Sequence, residues 1–579
     1  DGEQKLADAE QDYRDGEDEL AKLENPDVFI LNRSSNVGYA CFESDSDIVR
    51  GVSKVFPLFF FAVAALVCIT TMTRMVDEQR TQAGVLKALG YSNSAILSQY
   101  FLYAGTASLL GCVLGIAAGS YFLPKMIWHA YNIMYGFTSI LYAFDWPLAL
   151  VSSGAYLLCA LGTTWYVVHA ELQKPAAELI RPKAPKAGKR ILLERLPLIW
   201  DRLPFLHKVS IRNILRFKKR MVMMMIGIGG CTALLITGFG IQDSISSVVD
   251  YQYDEITRYD AAVTFQHALS GSEREDFLAV CEKSGAEGCL FVAEKSLDAS
   301  AGGTVKTTNV VCPESGSVDG FIDLHTQEKT PIPYPQDGGC IISRGLAQAL
   351  RLSAGDTITL QTGDMRRTEL TVEAVFENYV YNYVYLTQTT WQDVFGEAPG
   401  YEAAWVNYQT DEDAQAASAA LAGAKNAAAV TLSLDFRSRV ATMMQSLQYI
   451  VLVVVLGAAA LAFIVLYNLT NINITERERE IATIKVLGFY DGETNRYVFR
   501  ENIILTVLGA LLGLPMGTLL HAYVMGQIKI DLMCFDVRVA PLSYLISAAL
   551  TLVFGLLVNL ALRRKIRAID MSQALKSIE

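Results

Sequence analysis

Seven apolar stretches punctuate this sequence: residues 56–72, 100–122, 147–168, 221–241, 449–467, 502–523 and 542–562. A bilayer core takes roughly 20 mostly apolar residues in a helix, a length the first stretch meets only marginally and the others meet fully. They lack the polar face that a soluble helix turns to water. Composition agrees: 52% of the 579 residues are apolar and 19% charged, against about a quarter charged in soluble domains. The expectation is an α-helical membrane protein with the lipid bilayer as its first partner.

Charge sets the orientation. Residues 174–220 carry fourteen Lys and Arg against three acids, and the C-terminal tail opens with Arg563, Arg564, Lys565 and Arg567. Short cytoplasmic loops hold such an excess, so both segments are expected inside, along with residues 74–98 and 471–500. Residues 1–54, about 124–146, 243–447 and 524–540 then fall outside. The basic run abuts a span, where anionic headgroups account for it; no nucleic acid is implied.

The chain also repeats itself. With Glu78 set on Glu476, a constant offset brings Lys87 onto Lys485, Gly90 onto Gly488, and Gly111, Gly115 and Gly119 onto Gly509, Gly513 and Gly517. Internal repeats of this kind define the architectural unit: one span, a large exterior domain, then three more spans. The second unit is complete. The first has only its last three spans, so eight spans are expected in the intact chain and this sequence reads as N-terminally truncated. It does not begin with Met.

The expected organisation follows. Residues 1–54 end a first extracellular domain, 55–173 are the last three spans of the first unit, and 174–220 are a basic cytoplasmic linker. Residues 221–242 open the second unit, 243–447 form an α+β extracellular domain, and 448–579 are the closing three spans and tail.

Three places carry a family resemblance. One is the run Glu476, Arg477, Glu478, Arg479, Glu480, Ile481, Ala482, Thr483, Ile484, Lys485, Val486, Leu487, Gly488, with its weaker copy at residues 77–90, where Gln79 and Gln82 replace charges. Another is Ser210, Ile211, Arg212, Asn213 and Ile214 ahead of a basic run into a span. The third is Ser343, Arg344, Gly345, Leu346 and Ala347, then Leu352, Gly355, Asp356 and residues 372–375. Together these resemble the FtsX-like permease family, the MacB-type or type VII ABC transporter permeases. The resemblance implies a multi-pass protein of a bacterial plasma membrane, working with a separate cytoplasmic ABC ATPase, two copies for two units. It also implies that Glu78, Arg80, Lys87, Gly90, Glu476, Arg477, Glu478, Glu480, Lys485 and Gly488 belong to ATPase-coupling helices. From the residues alone, Ile481, Ile484 and Leu487 share one helical face, which suits an ordinary interfacial helix equally well.

The glycine stripes, Gly111, Gly115 and Gly119 with Gly509, Gly513 and Gly517, let helix backbones approach closely in lipid. They fit a sliding interface between the units or static packing within one. Pro515 inside the second stripe is expected to loosen that helix. The phosphate-binding pattern G-x-x-x-x-G-K-[ST] does not occur, so ATP and Mg are expected on the partner, with no cofactor, metal or catalytic residue in this chain. The spans read as nearly free of charge, as fits a protein that passes no hydrophilic cargo through a central channel.

Outside the membrane, Leu6, Ala9, Tyr13, Gly16, Leu20 and Leu23 keep heptad spacing, ended by Asn25 and Pro26. This reads as the returning arm of a coiled-coil hairpin that could dock an extracellular protein. Residues 372–376 and 380–385 read as strands and 414–429 as a helix; the tyrosines of 379–385 read as half-buried sheet or a binding face. Cys281, Cys289, Cys312 and Cys340 permit two disulfides, Cys281 with Cys289 and Cys312 with Cys340 being one of three pairings. Export of a peptide, toxin or lipid-like cargo is the leading functional expectation. The alternative is a mechanotransmission or sensing scaffold that regulates a cell-wall hydrolase or a histidine kinase.

Overall fold

A computed structural model of the chain describes residues 37–136, 139–181, 208, 211–212, 214–215, 218–363, 365–528 and 533–569. The coiled-coil arm, most of the basic linker and the C-terminal tail lie outside them. The chain divides at Ser46–Asp47 into two units; the description below concerns the second.

Among the described residues, seven helices are long and apolar enough to cross a membrane, one for each apolar stretch. In the first half they are α1 (Val37–Glu78), α3 (Asn93–Tyr135) and α4 (Trp146–Leu172), with short α2 (Arg80–Ala88) and α5 (Ala176–Ile180) beside them. Then α6 (Lys218–Asp250) leads through one π-helical turn, Tyr251–Ile256, into the α/β domain. The second half ends on α11 (Ser433–Glu476), α12 (Glu478–Val486), α13 (Asp491–Gln527) and α14 (Pro541–Arg567). The repeat is visible in these bounds. Nine-residue α2 and α12 start and stop 398 positions apart, and α4 and α14 both have 27 residues.

Of the seven spans, α6 is the most enclosed. It is wrapped by α11, α13 and α14, and Ile228, Cys231, Leu235 and Ile236 are fully buried. Lipid offers apolar side chains no less than a protein core does, so this cohesion comes from close packing. The two halves meet through α1 and α3: Phe56 of α1 and Tyr131 of α3 join the core of Leu234 and Val455, Val63 joins that of Met224 and Val465, and the Asn468 amide donates to the Thr71 hydroxyl at 3.1 Å. Pro515 does not interrupt α13.

Between α6 and α11 lies a nine-stranded sheet of order β3-β7-β4-β6-β5-β2-β8-β1-β9. Its strands are β1 (Ala261–Phe265), β2 (Gly288–Ala301), β3 (Thr304–Pro313), β4 (Gly339–Ser343), β5 (Thr357–Gln361), β6 (Arg367–Phe376), β7 (Tyr383–Tyr385), β8 (Ala403–Asn407) and β9 (Ala427–Leu432). Gly302 and Gly303, both at positive φ, make the two-residue turn between β2 and β3, a geometry that favours glycine in hairpins. Helices α7 (Gly271–Lys283) and α10 (Asp411–Ala422) cover one end of the sheet; α8 (Arg344–Leu350) and α9 (Gln388–Phe395) cover the other.

Two expectations need correction. The helix expected over 414–429 stops at Ala422: Gly423 caps it, Asn426 turns at positive φ, and residues 427–432 pair with β1 as an edge strand. Register against β1 overrides the helix preference of alanine there. The strand expected at 380–385 is confined to β7, because Asn378 folds its amide back onto the carbonyls of Val380 and Tyr381. Tyr379 and Tyr385 lie in the core rather than on a binding face.

Both connections to the sheet are stiff. The Gln252 amide donates to Asn378 at 3.0 Å and to the Thr257 hydroxyl at 3.1 Å, and its carbonyl accepts from the Tyr379 N–H at 2.8 Å. At the other connection α11 begins at the residue after β9, with the Ser433 N–H donating to the Asp260 carbonyl.

Candidate coupling site

Each half turns from one long helix to the next through the same short device, at the end of the bundle away from the sheet. Helix α1 breaks at Gln79 and α11 at Arg477, where ψ rises from the helical value of about −42° to 9° and 13°. A nine-residue helix follows, then Gly90 or Gly488 with φ of +90° and +93°. The Tyr91 N–H reaches the Leu86 carbonyl and the Phe489 N–H that of Ile484, a helix stop that favours glycine at the left-handed position. The Ser92 hydroxyl then accepts from the Ala95 N–H and starts α3.

The two lysines of the motif turn inward. Lys87 Nζ donates to the carbonyls of Leu172 and Lys174, at 2.5 and 2.8 Å, and Lys485 Nζ donates to that of Arg567 at 3.1 Å. These carbonyls close α4 and α14, whose last turns leave acceptors without helical partners and carry the negative end of the helix dipole. Each lysine therefore ties a short helix to the last span of its own half.

The arginines differ. Arg80 pairs with Glu171 at 3.0 Å and donates to the carbonyls of Glu178 and Arg181. Gly84 lets α5 lie against α2, since a Cβ there would stand 2.9 Å from that of Leu179. Arg477 instead pairs with Glu480 at 2.7 Å and with Glu501 of α13 at 2.6 Å, while the Tyr497 hydroxyl donates to Glu480 at 2.7 Å. Glu501 is 1% exposed. Beside this cluster the Asn473 amide donates to Asn502 at 2.6 Å, and Asn502 to Asn559 at 3.3 Å. Glu171 and Glu501 lie just outside the apolar runs 147–168 and 502–523, and with Tyr497 and the three asparagines they were not among the candidates. An acid at the margin of an apolar run was the available signal.

Glu78, 3.7 Å from Arg74, is exposed, as are Glu476 and Glu478. The short helices also expose apolar tips: Val85, Leu89 and Tyr91 in one half, Val486, Leu487, Phe489 and Tyr490 in the other, with Leu487 71% exposed and Tyr490 79%.

The glycine stripes part company. A Cβ on Gly509, Gly513 or Gly517 would stand 2.7, 2.5 and 2.7 Å from side-chain atoms of Ile228, Thr232 and Ile236; this stripe packs on α6 within one half. Around Gly111, Gly115 and Gly119 nothing lies within 4 Å among the described residues. The four exterior cysteines are free thiols. Cys281 and Cys289 hydrogen-bond one another, whereas Cys312 and Cys340 sit on β3 and β4 with β7 between them. Among the described residues, no group of three or more His, Cys, Asp or Glu is placed to hold a metal.

The model of the FtsX-like permease C-terminal region matches this chain twice, over residues 54–170 and 452–571, and that of the MacB-like periplasmic core domain matches residues 221–424. The chain belongs to the MacB/FtsX-type permeases, multi-pass cell-membrane subunits of type VII ABC transporters that work with a cytoplasmic ABC ATPase. The extracellular domain of the ABC-type transporter YknZ from Gram-positive bacteria matches with 18% identity, covering 30% of this chain and 98% of its own, at a TM-score of 0.22. The periplasmic region of MacB from Actinobacillus actinomycetemcomitans matches with 10% identity, covering 32% and 93%, also at 0.22. No curated protein matches the sequence.

Proposed function

We propose that α2 and α12 are the two contacts through which a separate ATPase, in two copies, moves this permease, and that the movement is delivered to the exterior domain to expel a peptide, toxin or lipid-like cargo. The observation that carries this is the duplicated device. Two nine-residue helices, 398 positions apart, are each tied inward by a lysine and present an apolar tip outward. Exposed apolar patches on an otherwise packed protein mark partner surfaces, and the inward ties make each helix a lever on its own spans. The close meshing of α6 with α13 favours movement over a water-filled passage. It also suits the regulatory reading, in which the exterior domain acts on a hydrolase or a kinase; the protein captured with the exterior domain decides between them.

The test uses the full chain with the ATPase that co-purifies from its native membrane. Leu487→Glu and Leu89→Glu together are expected to abolish co-elution while leaving membrane insertion and thermal stability unchanged. Stoichiometric binding with unaltered hydrolysis would assign the contact elsewhere.

A further inference from the structure

The arginine ties of the two halves do not correspond, and this difference has a mechanical meaning. At the constant offset, Arg477, Glu480, Tyr497 and Glu501 fall on Gln79, Gln82, Gln99 and Tyr103. Every charged member of the buried ionic cluster is thus replaced by a neutral side chain. The asparagine chain is replaced too: Asn473 and Asn502 fall on Met75 and Ala104. Conversely, Arg80 falls on Glu478, and aligning the 27-residue last spans end to end sets Glu171 on Ile566, a core residue beside Ile481. Among the described residues, the arginine at the start of each short helix runs to a different span in the two halves. Arg80 holds α2 to α4 and α5, whereas Arg477 holds α12 to α13.

We propose that the two halves hand on ATPase-driven movement by different routes: the Arg477–Glu501 pair makes α12 and α13 one rigid body in the second half, whereas α2 and α3 can move relative to each other in the first. This rests on the reading of α2 and α12 as ATPase contacts. A buried carboxylate stripped of its guanidinium partner is strongly disfavoured, so α12 cannot swing away from α13 without first breaking the pair. From α13 the route continues through Gly509, Gly513 and Gly517, where the absence of room for even a Cβ prevents α13 from sliding along α6. At its far end α6 is held by the Ser244 hydroxyl against His521 of α13 at 3.1 Å and runs into the sheet through Gln252. In the first half, among the described residues, Gln99 and Tyr103 of α3 supply no such ionic tie; α2 meets α3 instead through apolar packing of Ala83 with Ile96 and Tyr100, and a tilt of α2 would be passed to α4. Contiguity alone does not establish coupling, so the proposal is tested on movement itself. Arg477 and Glu501 act here as positioning residues.

The experiment measures dipolar EPR distances in the full chain with its ATPase, in lipid nanodiscs, without nucleotide and trapped with ATP and vanadate. Spin labels are placed in a background lacking accessible native cysteines. One pair, Thr483→Cys with Arg496→Cys, spans α12 and α13; its repeat equivalent, Val85→Cys with Ser98→Cys, spans α2 and α3. All four positions are exposed. A third pair, Val85→Cys with Thr483→Cys, reports whether nucleotide moves the short helices at all. The expected result is a nucleotide-dependent shift for the third pair and for 85–98, with 483–496 unchanged. Glu501→Gln is expected to make 483–496 nucleotide-dependent, and the swap Arg477→Glu with Glu501→Arg to restore it. If the third pair does not respond, the coupling reading itself fails. If it responds while the other two pairs behave alike, or if Glu501→Gln leaves 483–496 fixed in a complex that still hydrolyses ATP, the asymmetry proposed here is overturned.

Discussion

Gly513 faces Thr232 so closely that a Cβ on the glycine would stand 2.5 Å from the threonine Cβ, with the Gly229 carbonyl oxygen 2.8 Å away. No real Cβ tolerates either contact, and the nearer obstacle is a β-branched side chain with little freedom at χ1. Gly115, its repeat equivalent on α3, meets nothing within 4 Å among the described residues. Gly513→Leu is therefore expected to destabilise the permease by at least the 1–3 kcal/mol typical of overpacking, seen as a lower melting temperature in detergent. Gly115→Leu in this same chain is expected to leave the melt within about 0.5 kcal/mol, as for surface changes. Equal losses at both positions would show that the stripe on α3 is also seated.

Charge reversals in the 476–480 run are expected to split by which way each side chain turns. Glu480 accepts twice from Arg477 and once from Tyr497, so Glu480→Lys removes three charge-assisted hydrogen bonds and sets a cation beside the 3%-exposed Arg477 side chain. Hydrogen bonds to charged groups contribute about 1.5–3 kcal/mol each, and Glu480 is half-exposed, so the expected loss lies near the bottom of that range. Glu478→Lys, on the exposed face, is expected to leave the melt unchanged and to weaken ATPase binding instead. Thermal melting beside co-elution separates the two, and a stability loss for Glu478→Lys would contradict the assigned faces.

The seven spans and the duplication were legible because both are periodic: apolar length needs no partner to be recognised, and a constant offset needs only the sequence. Which way each motif residue turns was not legible. Lys87, Lys485 and Arg477 look like surface charges in a helical run, yet they point at carbonyls and a carboxylate more than 20 positions distant in sequence. The glycine stripes were legible as close-approach faces, but a face does not name its partner, and the two copies have different surroundings. Residues 427–432 misled because alanine favours helix locally while register against β1 favours strand.

Glu273 supplies a pH dependence in the exterior domain. The Ser270 N–H, at 2.9 Å, and then the Ser270 hydroxyl, at 2.8 Å, both donate to its carboxylate, lowering its pKa from 4.5 to about 2. The folded state prefers the ionised form, so the stabilisation is complete above the unfolded value of 4.5 and disappears as pH falls toward 2. Amide protection in α7, relative to the intrinsic exchange rate at each pH, is expected to fall between pH 4.5 and 3 in the wild-type chain. Glu273→Gln is expected to exchange faster at pH 6 and to lose this part of the pH dependence. An unchanged wild-type slope in the glutamine variant would remove Glu273 from the account.

The two cysteine pairs make opposite predictions. Cys281 closes α7 and Cys289 opens β2, and their thiols share a hydrogen bond. Donation from Cys289 lowers the pKa of Cys281, while Cys289, holding the shared proton, has its own raised. The thiolate is the attacking form in thiol oxidation: one sulfur of the pair adds to a nitrogen of an added diazene oxidant such as diamide, the other then displaces the resulting hydrazine, and the two thiol protons leave with it. Cys312 and Cys340 flank β7, so their strands lie about two spacings of 4.8 Å apart, beyond the roughly 7 Å Cα separation that a disulfide bridges. Peptide mapping after diamide treatment of the folded permease is expected to find the 281–289 link and no 312–340 link. A 312–340 link formed without unfolding would contradict the strand order of the sheet.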